Sequence, residues 1–231
     1  MFNWTLYSDN PLQEDLLVKV QKLLDKKIRF KELTSTEFVL DKCRDKKVLD
    51  IGIAEHAESF MGEENWKHKK ISKISKFCLG IDIIENLINK LDKLGYNVKL
   101  VDATSDTDLG DKFDIVNIGD VIEHVNDPVK LLQFSGRHLN KDGKIIVSTP
   151  NPNFYLFLKS AIKGKFYVTN LDHLRWITPC QALEIGRRSN LELDEIIFFI
   201  PRNMSFIKRF FKKLRPELFQ MTYYYIYRKS K

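Results

Sequence analysis

The sequence predicts a doubly wound α/β fold, and three features carry that expectation. From Lys47 onward, short and wholly apolar runs alternate with stretches of helical periodicity, the pattern of a parallel sheet covered on both faces. Four consecutive apolar runs lead into an acid, at Asp50, Asp82, Asp102 and Asp120. With 231 residues and 43% hydrophobic content, the chain can bury one sizeable core.

Each element has its own signal. Asn10 as N-cap, Pro11 in the first turn and Gln13 placed to reach back make a helix start. Leu12, Leu16, Leu17, Val20, Leu23 and Leu24 then fall on one face, so residues 11–25 are expected to form an amphipathic helix within an N-terminal helical cap, residues 1–46. The domain proper is residues 47–231. Strands are expected at 48–51, 77–81, 98–101, 113–118 and 144–148, with helices at 84–94 and at 128–139, where Asp127 caps and Pro128 opens the first turn. Residues 63–76 read as a charged insertion, a solvated helix or loop. A helix at 179–190 and strands at 191–200 and 221–228 complete seven strands.

The formal net charge of +7 is local. From Pro201 onward there are nine basic residues against the single acid Glu217, so the rest of the chain is near neutral and no nucleic-acid-coating surface is indicated. No apolar run reaches the roughly 20 residues needed to cross a bilayer, and the N-terminus lacks a secretory layout, which sets the expectation of a cytoplasmic protein. Cys43, Cys78 and Cys180 are odd in number and irregularly spaced, as suits reduced thiols.

The strand ends carry the chemistry. Gly52, in Asp50-Ile51-Gly52-Ile53-Ala54-Glu55-His56, lets the backbone approach a ligand closely. The absence of glycines at Ala54 and His56 speaks against a dinucleotide fingerprint. Asp82, with Ile83 beside it, is suited to accept hydrogen bonds from a ribose diol. Asp102, followed by Ala103, can accept from an exocyclic amine. Gly119, Asp120, Glu123 and His124 gather after the fourth run.

Together, Val48-Leu49-Asp50-Ile51-Gly52, Gly80-Ile81-Asp82, Asp102-Ala103, Phe113-Asp114-Ile115-Val116 with Glu123-His124, and Leu139 through Lys144 resemble the class I S-adenosylmethionine-dependent methyltransferases. The resemblance is to the branch of ubiquinone-biosynthesis O-methyltransferases and small-molecule and sugar methyltransferases, and covers about residues 47–199. It implies a Rossmann-like, mostly parallel sheet with helices on both faces, its last strand antiparallel beside strand 191–200. It further implies S-adenosylmethionine as cofactor, with Gly52 at its methionine part, Asp82 at the ribose hydroxyls, Asp102 and the Ala103 backbone at the adenine edge, Gly119 and Asp120 near the methionine amino group, and Asp50 and Ile83 among the cofactor-binding residues. The chain departs from the family where Ala54 and His56 replace further glycines.

For a hydroxyl acceptor, His124 is the first candidate for a base and His173, in Asp172-His173-Leu174-Arg175-Trp176, a second substrate-side residue. A divalent metal at Asp120, Glu123 and His124 is the less favoured reading, implied by the ubiquinone-pathway resemblance. Residues 151–178 are expected to form an acceptor-side lid. Residues 202–219 are expected to form a basic amphipathic insertion, within which residues 204–215 suit peripheral contact with the cytoplasmic face of a membrane. The expected acceptor group is a hydroxyl, with an amine the less favoured choice, on a small molecule, a saccharide or a lipid-linked form of either. The alternatives are an RNA or DNA methyltransferase, which the missing Asn/Asp-Pro-Pro-aromatic signature opposes, and a non-catalytic cofactor-binding scaffold.

Overall fold

The structure, a computed structural model, describes residues 2–54, 63–166, 170–200, 202 and 205–230. The elements in chain order are α1 (Glu14–Lys27), β1 (Ile28–Lys31), α2 (Ser35–Cys43), β2 (Lys47–Ile51), α3 (Lys67–Ile74), β3 (Phe77–Asp82), α4 (Glu85–Lys93), β4 (Val98–Leu100), β5 (Phe113–Gly119), α5 (Pro128–Arg137), β6 (Leu139–Pro150), α6 (Tyr155–Ile162), α7 (Pro179–Arg188), β7 (Leu191–Phe199), α8 (Phe206–Leu214), α9 (Pro216–Phe219) and β8 (Thr222–Lys229). They build one sheet in the order β1-β7-β8-β6-β5-β2-β3-β4. Strands β2 to β6 pair in parallel, and β8 runs antiparallel to both β6 and β7. The order reverses where β2 meets β5, so a crevice opens at the carboxyl ends of these two strands.

The sheet has eight strands rather than seven. The added one, β1, lies parallel to β7 with Ile28 opposite Ile196 and Lys31 opposite Phe199. It follows α1 without a break and carries Arg29 and Lys31 in four residues, so its apolar signal is weak. Charged residues on an edge also discourage pairing with another chain. Helix α1 begins at Glu14, later than expected, because the Asn10 side chain accepts from Leu12 N in a turn and Gln13 becomes the N-cap. Helix α2 is capped by a Thr34–Glu37 box and buries Phe38 and Cys43 against the sheet.

Both faces of the sheet are covered. On β8, Tyr223, Tyr225 and Tyr227 enter one core layer while Tyr224 and Ile226 enter the other, the period-two alternation of a strand. The three inward hydroxyls donate to Glu217 Oε1, the Ile177 carbonyl and the Ala182 carbonyl, at 2.8–2.9 Å, so their burial strands no polar group. Helix α5 opens as expected, with Asp127 Oδ1 accepting from Val129 N and Lys130 N. Cys43 and Cys78 are buried free thiols, pushed up in pKa by desolvation and therefore unreactive; Cys180 is free and exposed.

The reading of residues 63–76 as a solvated insertion is corrected. Helix α3 is the crossover between β2 and β3, with Trp66, His68 and Ile71 buried. Trp66 Nε1 donates to the Ile53 carbonyl at 3.0 Å, which ties this helix to the turn after β2. Five lysines between positions 67 and 76 hid the apolar face.

Candidate functional site

A cleft of about 770 Å³ opens at the carboxyl ends of β2, β3 and β5, and it brings together Asp50, Gly52, Asp82, Ile83, Asp102, Ala103, Gly119, Asp120, His124 and His173. These residues come from five separate stretches of sequence. Its size is that of a small-molecule or cofactor site. The part of the first turn that carries Glu55 and His56 lies outside the described residues.

The first strand end is held from beneath. Asp50 is buried, its Oδ1 accepting from Asn117 Nδ2 at 2.7 Å and its Oδ2 lying 2.8 Å from His68 Nδ1. His68 in turn rests on Gly80, where a Cβ would come within 2.7 Å of the imidazole. Gly52 has φ +77, and a Cβ there would meet Val121 Cγ2 at 2.1 Å. Glycine is therefore required at this turn both by the left-handed backbone and by the loop that follows β5.

Asp82 organises the second strand end. Its Oδ1 accepts from Ile83 N and Ile84 N at 2.7 and 3.1 Å, and its Oδ2 accepts from Ala54 N at 2.9 Å. A carboxylate has about four acceptor positions, so these three bonds leave capacity for one more donor. Ile83 beside it is 69% exposed although it lines the cleft, an apolar surface of the kind that a planar ring covers. Asp102 is exposed, its Oδ1 accepting from both Thr104 N and Thr104 Oγ1 at 2.7 Å.

At the third strand end, Asp120 has φ +54, an uncommon conformation for a residue with a side chain. Ser148 on β6 holds it there: Asp120 N donates to Ser148 Oγ at 3.1 Å, and Ser148 Oγ donates to Asp120 Oδ1 at 3.0 Å. Lys67 Nζ lies 3.4 Å from the other oxygen. Strained backbone of this kind is concentrated at working sites.

Beyond Asp120, Glu123, His124 and His173 meet. His124 Nδ1 is 3.0 Å from Asp172 Oδ2, and the His124 and His173 rings pack edge to face at 4.7 Å between centroids. Glu123 is 1% exposed, and among the described residues neither of its oxygens has a hydrogen-bond partner, although His173 Nε2 lies 4.0 Å from Oε1. Burial, reinforced by the charge of Asp120, pushes its pKa up to about 7. One donor atom from each of Glu123, His124 and His173 lies within 4.8 Å of the others. Asp120, which the less favoured metal reading grouped with Glu123 and His124, turns instead to Ser148 and Lys67, and His173 stands beside the other two.

Residues 63–76 supplied two site residues that pattern alone passed over, His68 and Lys67. Trp66, His68 and Ile71 together were the available signal, since aromatic and apolar residues at near-helical spacing mark a packed face even among lysines. Asp172 directly precedes His173, but nothing local marks its pairing with His124.

A family model described as a methyltransferase domain matches residues 19–196. The chain is 28% identical over 163 residues to the ubiquinone biosynthesis O-methyltransferase of Coxiella burnetii, an alignment that spans 65% of each chain. A relative of the same description from Aromatoleum aromaticum is 28% identical over 160 residues. Among solved structures, a S-adenosylmethionine-dependent methyltransferase from Clostridium acetobutylicum superposes with a TM-score of 0.58 at 13% identity, covering 94% of this chain and 98% of that one. A SAM-dependent methyltransferase from Archaeoglobus fulgidus gives 0.56 at 20% identity, covering 92% and 99%. With a family match over most of its length, the chain belongs to the methyltransferase-domain family, and its fold is that of the S-adenosylmethionine-dependent methyltransferases it superposes on.

Proposed function

We propose that this enzyme methylates a hydroxyl of a small molecule or saccharide, free or lipid-linked, with His124 as general base. The observation that carries the reading is the Asp172–His124 pair on the wall of the cleft that also holds Asp82. A carboxylate on Nδ1 obliges that nitrogen to carry the proton, so Nε2 becomes the basic nitrogen. His173 packs against the His124 ring and fixes its orientation. The ubiquinone biosynthesis O-methyltransferases to which the chain is similar support a hydroxyl acceptor.

The cleft fits S-adenosylmethionine. Its volume suits a nucleoside-sized ligand, Asp50, Asp82, Asp102 and Asp120 give it a negative lining for a cation, and Gly52 keeps the wall at the first turn free of a side chain. When bound, the cofactor supplies an electrophilic methyl carbon on a sulfonium. Asp82 would accept from a ribose hydroxyl through its one remaining acceptor position, and the exposed Ile83 side chain would offer an apolar surface to the adenine. Asp102, beside Ala103, would accept from the exocyclic amine, while Gly119 and Asp120 would receive the methionine amino group. Asp50 acts at one remove, holding His68 and Asn117 in the floor. Most of the rate in a methyl displacement comes from alignment, so these contacts matter as much as the base.

Methyl transfer from labelled S-adenosylmethionine to matched pairs of hydroxyl and amine acceptors tests the reading. O-methyl products are expected. Exclusive methylation of the amine member of each pair would overturn it.

A further inference from the structure

We infer that α8 docks this protein on an anionic lipid surface. Phe206, Ile207, Phe210, Phe211 and Leu214 fall at positions i, i+1, i+4, i+5 and i+8, one continuous stripe along the helix. All five are at least half exposed, between 50% and 82%, and no residue of the helix is buried. The opposite side faces the body of the protein: Arg209 forms an ion pair with Glu32, just after β1, and Lys212 is sufficiently desolvated that its pKa is lowered. A helix packed for its own fold would present the reverse polarity. Here Arg209 and Lys212 are turned inward and the aromatics outward.

The surroundings select the occupant. No acid lies between Arg202 and Arg215, and Lys208, Lys213 and Arg215 are exposed around the apolar stripe. Aromatic side chains within a ring of cations match an interface of acyl chains and anionic headgroups. A cleft of about 700 Å³ separates this surface from α6, and Leu158, Leu214 and Leu218 are among the residues that line it. Leu158 and Ile162 of α6 are themselves 53% and 78% exposed. A second copy of the chain fits less well. It would bring two sets of cations together, and a nine-residue helix about 13 Å long offers less than the roughly 800 Å² per partner of a standard interface. The inference does not depend on which acceptor is methylated.

The test is co-sedimentation of the full chain with vesicles of phosphatidylcholine containing phosphatidylglycerol, against phosphatidylcholine alone, at near-physiological salt. The intact chain is expected to prefer the anionic vesicles by about tenfold or more. Two double variants, Phe206→Ser with Phe210→Ser and Lys208→Glu with Lys213→Glu, are each expected to lose that binding. Both should keep their unfolding temperature and their affinity for S-adenosylmethionine, because the replaced side chains are exposed and stand apart from the cleft. Equal or absent binding of the intact chain to the two vesicle types would overturn the inference, as would unchanged binding by the phenylalanine variant. A concentration-dependent dimer abolished by that variant, without vesicle binding, would replace the lipid surface by a second copy.

Discussion

His124 Nδ1 lies 3.0 Å from Asp172 Oδ2, across 48 residues of chain and on the same cleft as Asp82. Replacing His124 by Gln keeps a polar group and removes the base, so turnover is expected to fall by roughly 10²–10⁴. Asp172→Asn should lower kcat less, with little change in KM for the cofactor, because it disturbs the tautomer and not the binding site. The pH profile of kcat distinguishes a positioning role from a structural one: it should move in Asp172→Asn and flatten in His124→Gln.

Glu123 gives a pH signature in stability. Its folded pKa is raised to about 7 from an ordinary value of 4.5, so between these limits the native state binds more protons than the unfolded chain. Stability therefore falls as pH rises through that window, by at most roughly 3 kcal/mol for a single group of this shift. Urea unfolding of Glu123→Gln at pH 5 and pH 8 should show a smaller difference between the two conditions than the parent chain. An identical difference would mean that Glu123 is ionised and compensated at neutral pH.

Gly52→Ala probes the turn after β2. A left-handed backbone costs an ordinary residue about 1–2 kcal/mol, and the added methyl meets Val121 Cγ2 at 2.1 Å. Relief requires the loop bearing Asp120 and His124 to move. Calorimetry should show cofactor affinity reduced by about tenfold or more, and a further Val121→Ala change should recover the part that comes from the clash. Unaltered affinity in the single variant would mean that the turn has slack not evident in the packing.

Chelation separates two chemistries for Glu123, His124 and His173, whose donor atoms lie within 4.8 Å of one another. If His124 works as a base, methyl transfer is expected to persist in excess EDTA. Activity lost on chelation and restored by magnesium or manganese would assign a cation to this trio.

Much of the fold could be read from the sequence because parallel strands covered on both faces leave continuous apolar runs, as in Val48–Leu49 and Ile145–Val147. The acids at successive strand ends were legible for a related reason: the topology puts the ends of β2, β3 and β5 on one rim, so position along the chain gives position in space. Short or charged elements were not legible. Strand β1 is set by pairing with β7, and α3 is set by the contacts of Trp66 and His68, neither of which leaves a local pattern strong enough to outweighs its lysines and arginines. Asp172 was hidden because its partner is remote in sequence. Ala54 contributes its backbone N–H to Asp82, so the residue type at that turn is less informative than its geometry.

Calorimetric titration of S-adenosylmethionine into the intact chain and into Asp82→Asn, with unfolding temperatures recorded for both, bears most directly on the assignment of the cleft. Asparagine retains one acceptor oxygen for the surrounding backbone and loses the charge, so the variant should remain folded and bind about tenfold or more weakly, as removal of a charge-assisted hydrogen bond implies. Equal affinity in the two folded proteins would contradict a cofactor seat at Asp82.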